Sequence, residues 1–424
     1  MKFIKYFILI LINILVLLLP MFVLYSFFKN KKDKIAIKCN LNQIAQYYFF
    51  SFLFNRHIKK NSIMIHAVSM GEIDAAINLI KSFKKKNKDR IILTVTSIQG
   101  YEKVIKNQKD ICVYYFPFDS VFHQLLFIKH FNIKKAIIIE HDFWPNFLAC
   151  MELLENEVIL LNAYLSNKTI NRLKNSMYRE FLFNPINKIC TQTEELKQKI
   201  LKIMPTINVN VAPSYKLPLK NVNIYSDSIL LNRNLITISN FHPVETDVLL
   251  RIISYLLNKG FKVALIPRHI NIFEKLIKHL KVKYEKDFMI IEDSLDPIKL
   301  VNDEKKLFFI KKYGILEQFY KISLATIVCG TFDSTLKGHS IFEPMLCGSM
   351  TFYGPCFTSQ MYMHEILERI MADMVHDPYE ICMNINSLTN QQRITIYGKF
   401  VEEINKEKVY LTRHFEEVEK WIED

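Results

Sequence analysis

A histidine, a serine and a carboxylate fall within seven residues at His66-Ala-Val-Ser-Met-Gly-Glu72. The run follows Ser62 to Ile65, a short apolar segment that reads as a buried strand, and precedes Ile73 to Phe83, which reads as a helix. Glu72 thus sits at a strand-to-helix turn, at the C-terminal edge of a predicted parallel sheet, where open α/β folds place their ligands. A carboxylate there is a candidate general base, able to take a proton from a hydroxyl within hydrogen-bond reach. The same spacing fits a second reading. Ser69 and Glu72 stand as in a capping box, where hydroxyl and carboxylate satisfy the free N–H groups of a helix start.

The elements that would position this turn recur along the chain. Strand-like apolar runs at 62–68, 90–97, 112–118, 134–140, 157–163, 188–193 and 207–213 alternate with helical stretches. A second series follows at 235–240, 262–268, 307–312, 324–330 and 349–354. Two βα arrays predict an α/β protein of two doubly wound domains with a cleft between them. Pro213, Pro218 and the Asn and Ser residues of 213–231 mark the predicted linker. The resulting division is 1–28, 29–218 and 219–424, the last segment including an amphipathic helix from Gln391 to Asp424 that ends in Trp421 and Ile422.

Tyr6 to Phe28 carries no charge over 23 residues, enough to cross a bilayer core as a helix. It is longer than the apolar region of a signal peptide, and no small-residue cleavage site follows it. Lys2 and Lys5 precede it; Lys29, Lys31, Lys32 and Lys34 follow. The heavier positive flank predicts that the body after residue 34 faces the cytoplasm. The net charge of +14 is partly spent on this flank and partly on Lys59, Lys60 and the cluster from Lys81 to Arg90. A basic face beside a membrane anchor suits anionic headgroups, with Ile44 to Phe54, rich in Tyr and Phe, available to meet acyl chains or a core. No zinc-finger spacing or RNP-type aromatic motif points to nucleic acid. The eight cysteines are scattered without C-x-x-C pairs or histidines at ligand spacing, which predicts reduced thiols and no metal site.

Several motifs, taken in order, resemble the 3-deoxy-D-manno-octulosonic acid (Kdo) transferases of lipopolysaccharide inner-core synthesis. The likeness runs over nearly the whole chain. His66–Glu72 is similar to the family segment holding its proposed base. The segment Ile139-Glu140-His141-Asp142-Phe143-Trp144-Pro145-Asn146 resembles an acidic pair before Trp-Pro-Asn. Leu161-Asn162-Ala163-Tyr164-Leu165-Ser166 is similar to an Asn-Ala-Arg-Leu-Ser segment, with Tyr164 where arginine is usual. Cys190–Glu195, Phe241-His242-Pro243, Leu265-Ile266-Pro267-Arg268-His269 and Gly338-His339-Ser340-Ile341-Phe342-Glu343-Pro344 follow in register, then Gly348 and Gly354-Pro355. Two segments depart. Asp-Thr-Met-Gly-Glu-Leu of the family appears as Lys311-Lys312-Tyr313-Gly314-Ile315-Leu316, and Gly-Asn-Leu-Lys as Pro213-Ser214-Tyr215-Lys216.

The resemblance implies a GT-B glycosyltransferase fold, two Rossmann-like domains, with the acceptor on the first and CMP-Kdo on the second. It implies metal-independent, inverting transfer of Kdo to a lipid A precursor (lipid IVA) at the bacterial inner membrane, with no cofactor. Glu72 would be the base, and Glu140 and Lys216 would support charge in the transition state. Pro267, Arg268, Tyr313, Gly314, Ile315, Ser340, Ile341, Phe342 and Glu343 would hold CMP. Arg268 offers a forked cation to phosphate, and a helix starting near Ser340 would offer N–H groups. Simpler roles stay open: a salt bridge for Arg268, a cap for Glu343, a solvated linker position for Lys216, structural hydrogen bonds for His66, His269 and His339, and packing for Trp144 and Pro145. Two other functions also stay open, a membrane-anchored GT-B transferase of different specificity and a non-catalytic lipid-binding homologue.

Overall fold

Every residue of β1 (Ser62–His66) is buried, so this apolar run needs cover on both faces of its sheet. It lies inside a seven-stranded parallel sheet with β2 (Ile91–Val95), β3 (Cys112–Tyr115), β4 (Ile133–Ile139), β5 (Glu157–Ala163), β6 (Lys188–Thr191) and β7 (Asn208–Val211). The order β3-β2-β1-β4-β5-β6-β7 reverses direction at β1, so the chain leaves β1 and β4 on either side of a topological switch point. The protein is seen here as a computed structural model describing residues 61–88, 90–108, 110–217, 233–292, 296–336, 338–371 and 377–423.

A second parallel sheet comprises β8 (Leu235–Phe241), β9 (Lys262–Pro267), β10 (Phe288–Ile291), β11 (Leu307–Ile310), β12 (Ser323–Val328) and β13 (Met350–Tyr353). Its order is β10-β11-β9-β8-β12-β13, with the switch point between β8 and β12. β10 is absent from the strands predicted above. It is a four-residue edge strand separated from the helix Glu274–Lys283 by a turn at 284–287, Tyr-Glu-Lys-Asp, which has no Gly or Pro to mark it in the sequence.

The chain divides into two compact units. Unit 1 contains residues up to Leu219 together with Lys408–Asp424, and unit 2 contains Lys220–Glu407. The division read from the sequence left the whole C-terminal helix with residues 219–424, whereas here its last residues group with unit 1. The helix spans Asn390–Glu423, and its last turns pack on unit 1. Leu411, Phe415, Val418 and Ile422 are buried, Phe415 sets its ring edge-on to Tyr215, and Glu419 accepts from Lys84 N and Asn87 Nδ2. The linker reading is corrected at its start, because Tyr215 and Leu217 are fully buried in unit 1, while 218–231 lies outside the described residues.

Residues 1–60, with the predicted span and the Tyr- and Phe-rich stretch, also lie outside the described residues. Among the described residues no helix is long and apolar enough to cross a membrane, and no cluster of ligand-type side chains suits a metal ion. Seven of the cysteines are described, all as free thiols. Burial pushes Cys150, Cys190 and Cys382 up to about 12, leaving them neutral packing residues.

Candidate active site

In unit 1 the capping reading of Glu72 holds, and its carboxylate stands at the strand end where the base reading puts it. The helix Met70–Ser82 starts at an extended Ser69, whose Oγ accepts from Glu72 N at 3.2 Å. The Glu72 carboxylate in return accepts from Val68 N at 2.8 Å and from Ser69 Oγ at 2.9 Å. Those bonds close a cap and fix the rotamer of a buried carboxylate at the C-terminal end of β1.

Glu140 faces it from the end of β4, close enough for the two carboxylates to repel. Its backbone is left-handed at φ +71°, a conformation that costs a residue with a Cβ about 1–2 kcal/mol. Strain of that kind persists only where surroundings impose it, and here the surroundings can be named. Lys216 Nζ lies 2.5 Å from Glu140 Oε1, and Asn162 Nδ2 donates to the same oxygen at 3.3 Å. Burial raises the Glu140 carboxyl above its ordinary value, and the Lys216 charge and hydrogen bond offset part of that rise. Lys216 is therefore the partner of a buried acid, and the solvated-linker reading is set aside.

Asn162 explains how this geometry is reached. It sits in β5 at φ +55°, where the β5–β6 register slips between Leu160 and Ala163. Such an irregularity re-aims one side chain. The Asn162 amide donates to Glu140, while its Oδ1 accepts from Tyr215 N at 3.0 Å, the residue before Lys216. Tyr215 is further tied by its hydroxyl to His414 Nε2 at 2.7 Å, and its carbonyl accepts from Asn78. Gly71 completes the fit, since a Cβ there would lie 3.2 Å from Lys216 Cε. The structure thus brings Glu72, Glu140 and Lys216 together, and adds Gly71, Asn162 and Tyr215, to which the sequence reading gave no role.

Beside this group His66 is structural. Its Nδ1 bonds Thr94 Oγ1 and its Nε2 bonds Asp142 Oδ2, each at 2.9 Å, and Trp144 Nε1 donates to the same aspartate oxygen at 2.7 Å. Burial alone would raise Asp142, but these contacts hold it below its ordinary value. Asp119 caps the next helix, Pro145–Leu153, through Asn146 N and Phe147 N, and burial still lifts it to about 6.

In unit 2 the predicted nucleotide residues occupy three segments. Pro267 ends β9 and is buried; Arg268 and His269 follow, exposed. The Arg268 guanidinium forms no ion pair among the described residues, so the salt-bridge reading has no partner. Tyr313 is 66% exposed, and its hydroxyl accepts from Ile270 N at 3.3 Å, joining the 311–316 loop to the turn after β9. Gly314 has φ +76° with nothing near its missing Cβ, so its backbone conformation is the reason for glycine. Lys311 is paired with Glu292 at 2.7 Å.

Three details differ from expectation. The side chains of Ile315, Ile341 and Phe342 are core, leaving only their backbone groups for a ligand. The helix expected near Ser340 begins at Glu343 and is one turn, Glu343–Leu346, with no side-chain cap. Pro344 cannot donate an N–H there, while Glu343 is exposed.

The core of unit 2's switch point lay outside the prediction. Glu245 is buried, and its carboxylate accepts from His242 N, from Gly330 N with both oxygens and from Phe332 N, at 2.7–3.1 Å. It ties the turn after β8 to the loop after β12. The available signal was Gly330, one of only nine glycines, at a strand end.

These features can be set beside known proteins. Residues 44–219 match the model of the 3-deoxy-D-manno-octulosonic-acid transferase (kdotransferase) family. A bifunctional glycosyltransferase/methyltransferase of Fusobacterium nucleatum is 25% identical over 351 residues, 78% of this chain and 53% of that protein. A 3-deoxy-D-manno-octulosonic acid transferase of Rickettsia felis is 26% identical over 70% of this chain and 64% of its own length. For that of Aquifex aeolicus the figures are 26%, 73% and 80%. The chain spans less than two thirds of the length of the first two. Among solved structures, a glycosyltransferase from Rickettsia africae aligns with a TM-score of 0.55 at 14% identity, covering 86% of this chain and 99% of that one. Anabaena HepE in complex with UDP-glucose gives 0.54 at 11%, covering 84% and 98%. Two parallel-sheet α/β units with these likenesses define the GT-B fold class. Within it, the chain is similar to 3-deoxy-D-manno-octulosonic acid transferases, whose family model matches residues 44–219.

Proposed function

We propose that the protein transfers Kdo from CMP-Kdo to a lipid A precursor, lipid IVA, with inversion and without a metal ion. The observation that carries this reading is the gathering of Glu72, Glu140 and Lys216 at the switch point of unit 1, inside the segment that matches the Kdo transferase family model. A sugar hydroxyl of the acceptor attacks the anomeric carbon, the bond to the phosphate oxygen breaks, and CMP leaves with that electron pair. Glu72 takes the hydroxyl proton, held for it by Val68 N and Ser69 Oγ. Lys216, paired with Glu140, supports charge during transfer. Arg268 meets the nucleotide phosphate, helped by backbone N–H groups at 313–315 and 340–342, and Glu343 accepts from the ribose hydroxyls.

The same proposal places the protein at the inner membrane by a single N-terminal span, its body in the cytoplasm on anionic lipid. A periplasm-specific reporter fused after Asp424 should stay silent, and a bright signal overturns that orientation. The activity itself is tested by incubating the protein with CMP-Kdo and lipid IVA and weighing the lipid by mass spectrometry. A mass gain of Kdo units supports the reading. A gain only with another nucleotide sugar shows a different transferase, and no gain with any donor shows a homologue without activity.

A further inference from the structure

The arrangement in unit 2 contains a device that the transfer reaction does not call for. The rings of His242 and His339 lie within 5° of one plane, their centroids 5.1 Å apart and their Nε2 atoms 2.8 Å apart. Parallel rings at that separation, with a direct N···N contact, lie end to end and are joined by one N–H···N bond. A neutral imidazole has one N–H and one lone pair. One ring therefore donates through Nε2 and has no proton on Nδ1, while its partner accepts and carries its proton on Nδ1. A further proton entering at the unprotonated Nδ1 charges the pair without breaking the bond between the rings.

The pair is held firmly. Glu245 binds the backbone of His242 and the Gly330–Phe332 loop that leads to His339. Gly330 admits the His339 ring, since a Cβ there would lie 2.3 Å from its Cδ2. The charged and titratable groups around it come from three segments. Glu245 lies on the turn after β8, and Arg268 and His269 follow β9, with the His269 ring 5.8 Å from that of His242. On the loops, Asp333 is tied to Thr335 and the Cys356 thiol is raised by burial. Burial, then Arg268, pushes His339 down to about 4, and burial with His269 and Arg268 lowers His242 despite Glu245. The free site is thus an unpaired guanidinium beside a neutral imidazole pair, short of one anion.

We propose that the His242–His339 pair takes up a proton when a nucleotide phosphate settles beside Arg268, so that donor-side binding in unit 2 strengthens as pH falls. An anion beside them favours the charged form of the imidazoles, and linkage then requires that protonation favour the anion equally. The proposal rests on the reading of unit 2 as the CMP site.

The probe is CMP, titrated calorimetrically against the full chain between pH 5 and 7 in buffers of different ionisation enthalpy. CMP's own phosphate titrates near 6, so wild type is compared with His339→Asn, which sees the same ligand chemistry. Wild type should take up more protons per CMP than the variant, the difference approaching one. Its affinity advantage should grow by up to about tenfold per pH unit as pH falls, the limit for one coupled proton. His242→Asn gives the same comparison if His339→Asn does not fold. Equal proton uptake in wild type and variant overturns the proposal and leaves the CMP site standing. Absence of CMP binding at any pH overturns both.

Discussion

The two switch points answer the same problem in opposite ways. In unit 1 the buried acid Glu140 already has its counter-charge, because Lys216 lies on it and Asn162 and Tyr215 hold the pair in place. In unit 2 the cation is unmatched, and Arg268 stands exposed beside neutral imidazoles. A site that must steer a proton gains from groups fixed before the substrate arrives. A site that must capture an anion gains from leaving its charge unsatisfied until the anion comes. The difference teaches which unit is expected to tolerate which substitution.

The sharpest way to break the comparison is Glu72→Gln. Loss of a general base lowers the transfer rate by about 10²–10⁴, whereas the amide keeps an acceptor for Val68 N and should leave CMP binding intact. Ser69→Ala removes the cap and one of the two bonds on the Glu72 carboxylate, leaves the carboxylate itself, and should cost about 1 kcal/mol in urea unfolding. If Glu72→Gln turns over normally and merely melts earlier, Glu72 is a cap alone.

Arg268→Ala is next. A charge-assisted bond contributes about 1.5–3 kcal/mol, so CMP affinity should fall roughly ten- to a hundredfold with no change in melting temperature. A loss of stability without loss of affinity would show that Arg268 is an ordinary surface cation.

The third test concerns unit 1 and pH. The Glu140 carboxyl is raised in the folded protein above its ordinary 4.5. The folded state therefore holds that proton longer than the unfolded one, and stability falls as pH rises between the two values. Lys216→Met removes the offsetting charge and widens this window. The variant should melt lower at pH 7 than at pH 5, by more than wild type does. Equal slopes would mean that the pair carries no energy.

The smallest effect is expected at Gly314→Val. A side chain at φ +76° meets no neighbour, so the cost is backbone strain of about 1–2 kcal/mol. If the 311–316 loop touches nucleotide, CMP affinity should drop several-fold; unchanged affinity removes the loop from the site.

Much of this architecture was legible in the residue pattern. Parallel strands buried on both faces leave near-continuous apolar runs, and the β strands of both sheets, β10 excepted, are read from them. The turn carrying Glu72 was equally plain, since capping and chemistry use the same spacing. What could not be read was whatever depends on a local departure from regular structure. Asn162 matters because a register slip turns its amide toward Glu140, and no propensity marks that slip. Glu245 resembles any helix-start acid until the Gly330 loop folds onto it. The C-terminal helix shows an apolar stripe, but a stripe does not say which of two sheets it will cover.

That helix carries a consequence for the order in which the molecule is made. Residues 61–217 emerge from the ribosome well before residues 408–423, yet Tyr215, Lys84 and Asn87 find their partners His414 and Glu419 only when that later segment has been synthesised. Domains usually fold as they emerge. Here the earlier-born unit waits with the backbone beside Lys216 unbraced, and unit 2 has the time to fold first. The bracing around Glu140 and Lys216 is thus finished only after residues 408–423 have emerged, and a chain stopped before them would carry the proposed nucleotide residues of unit 2 without that bracing.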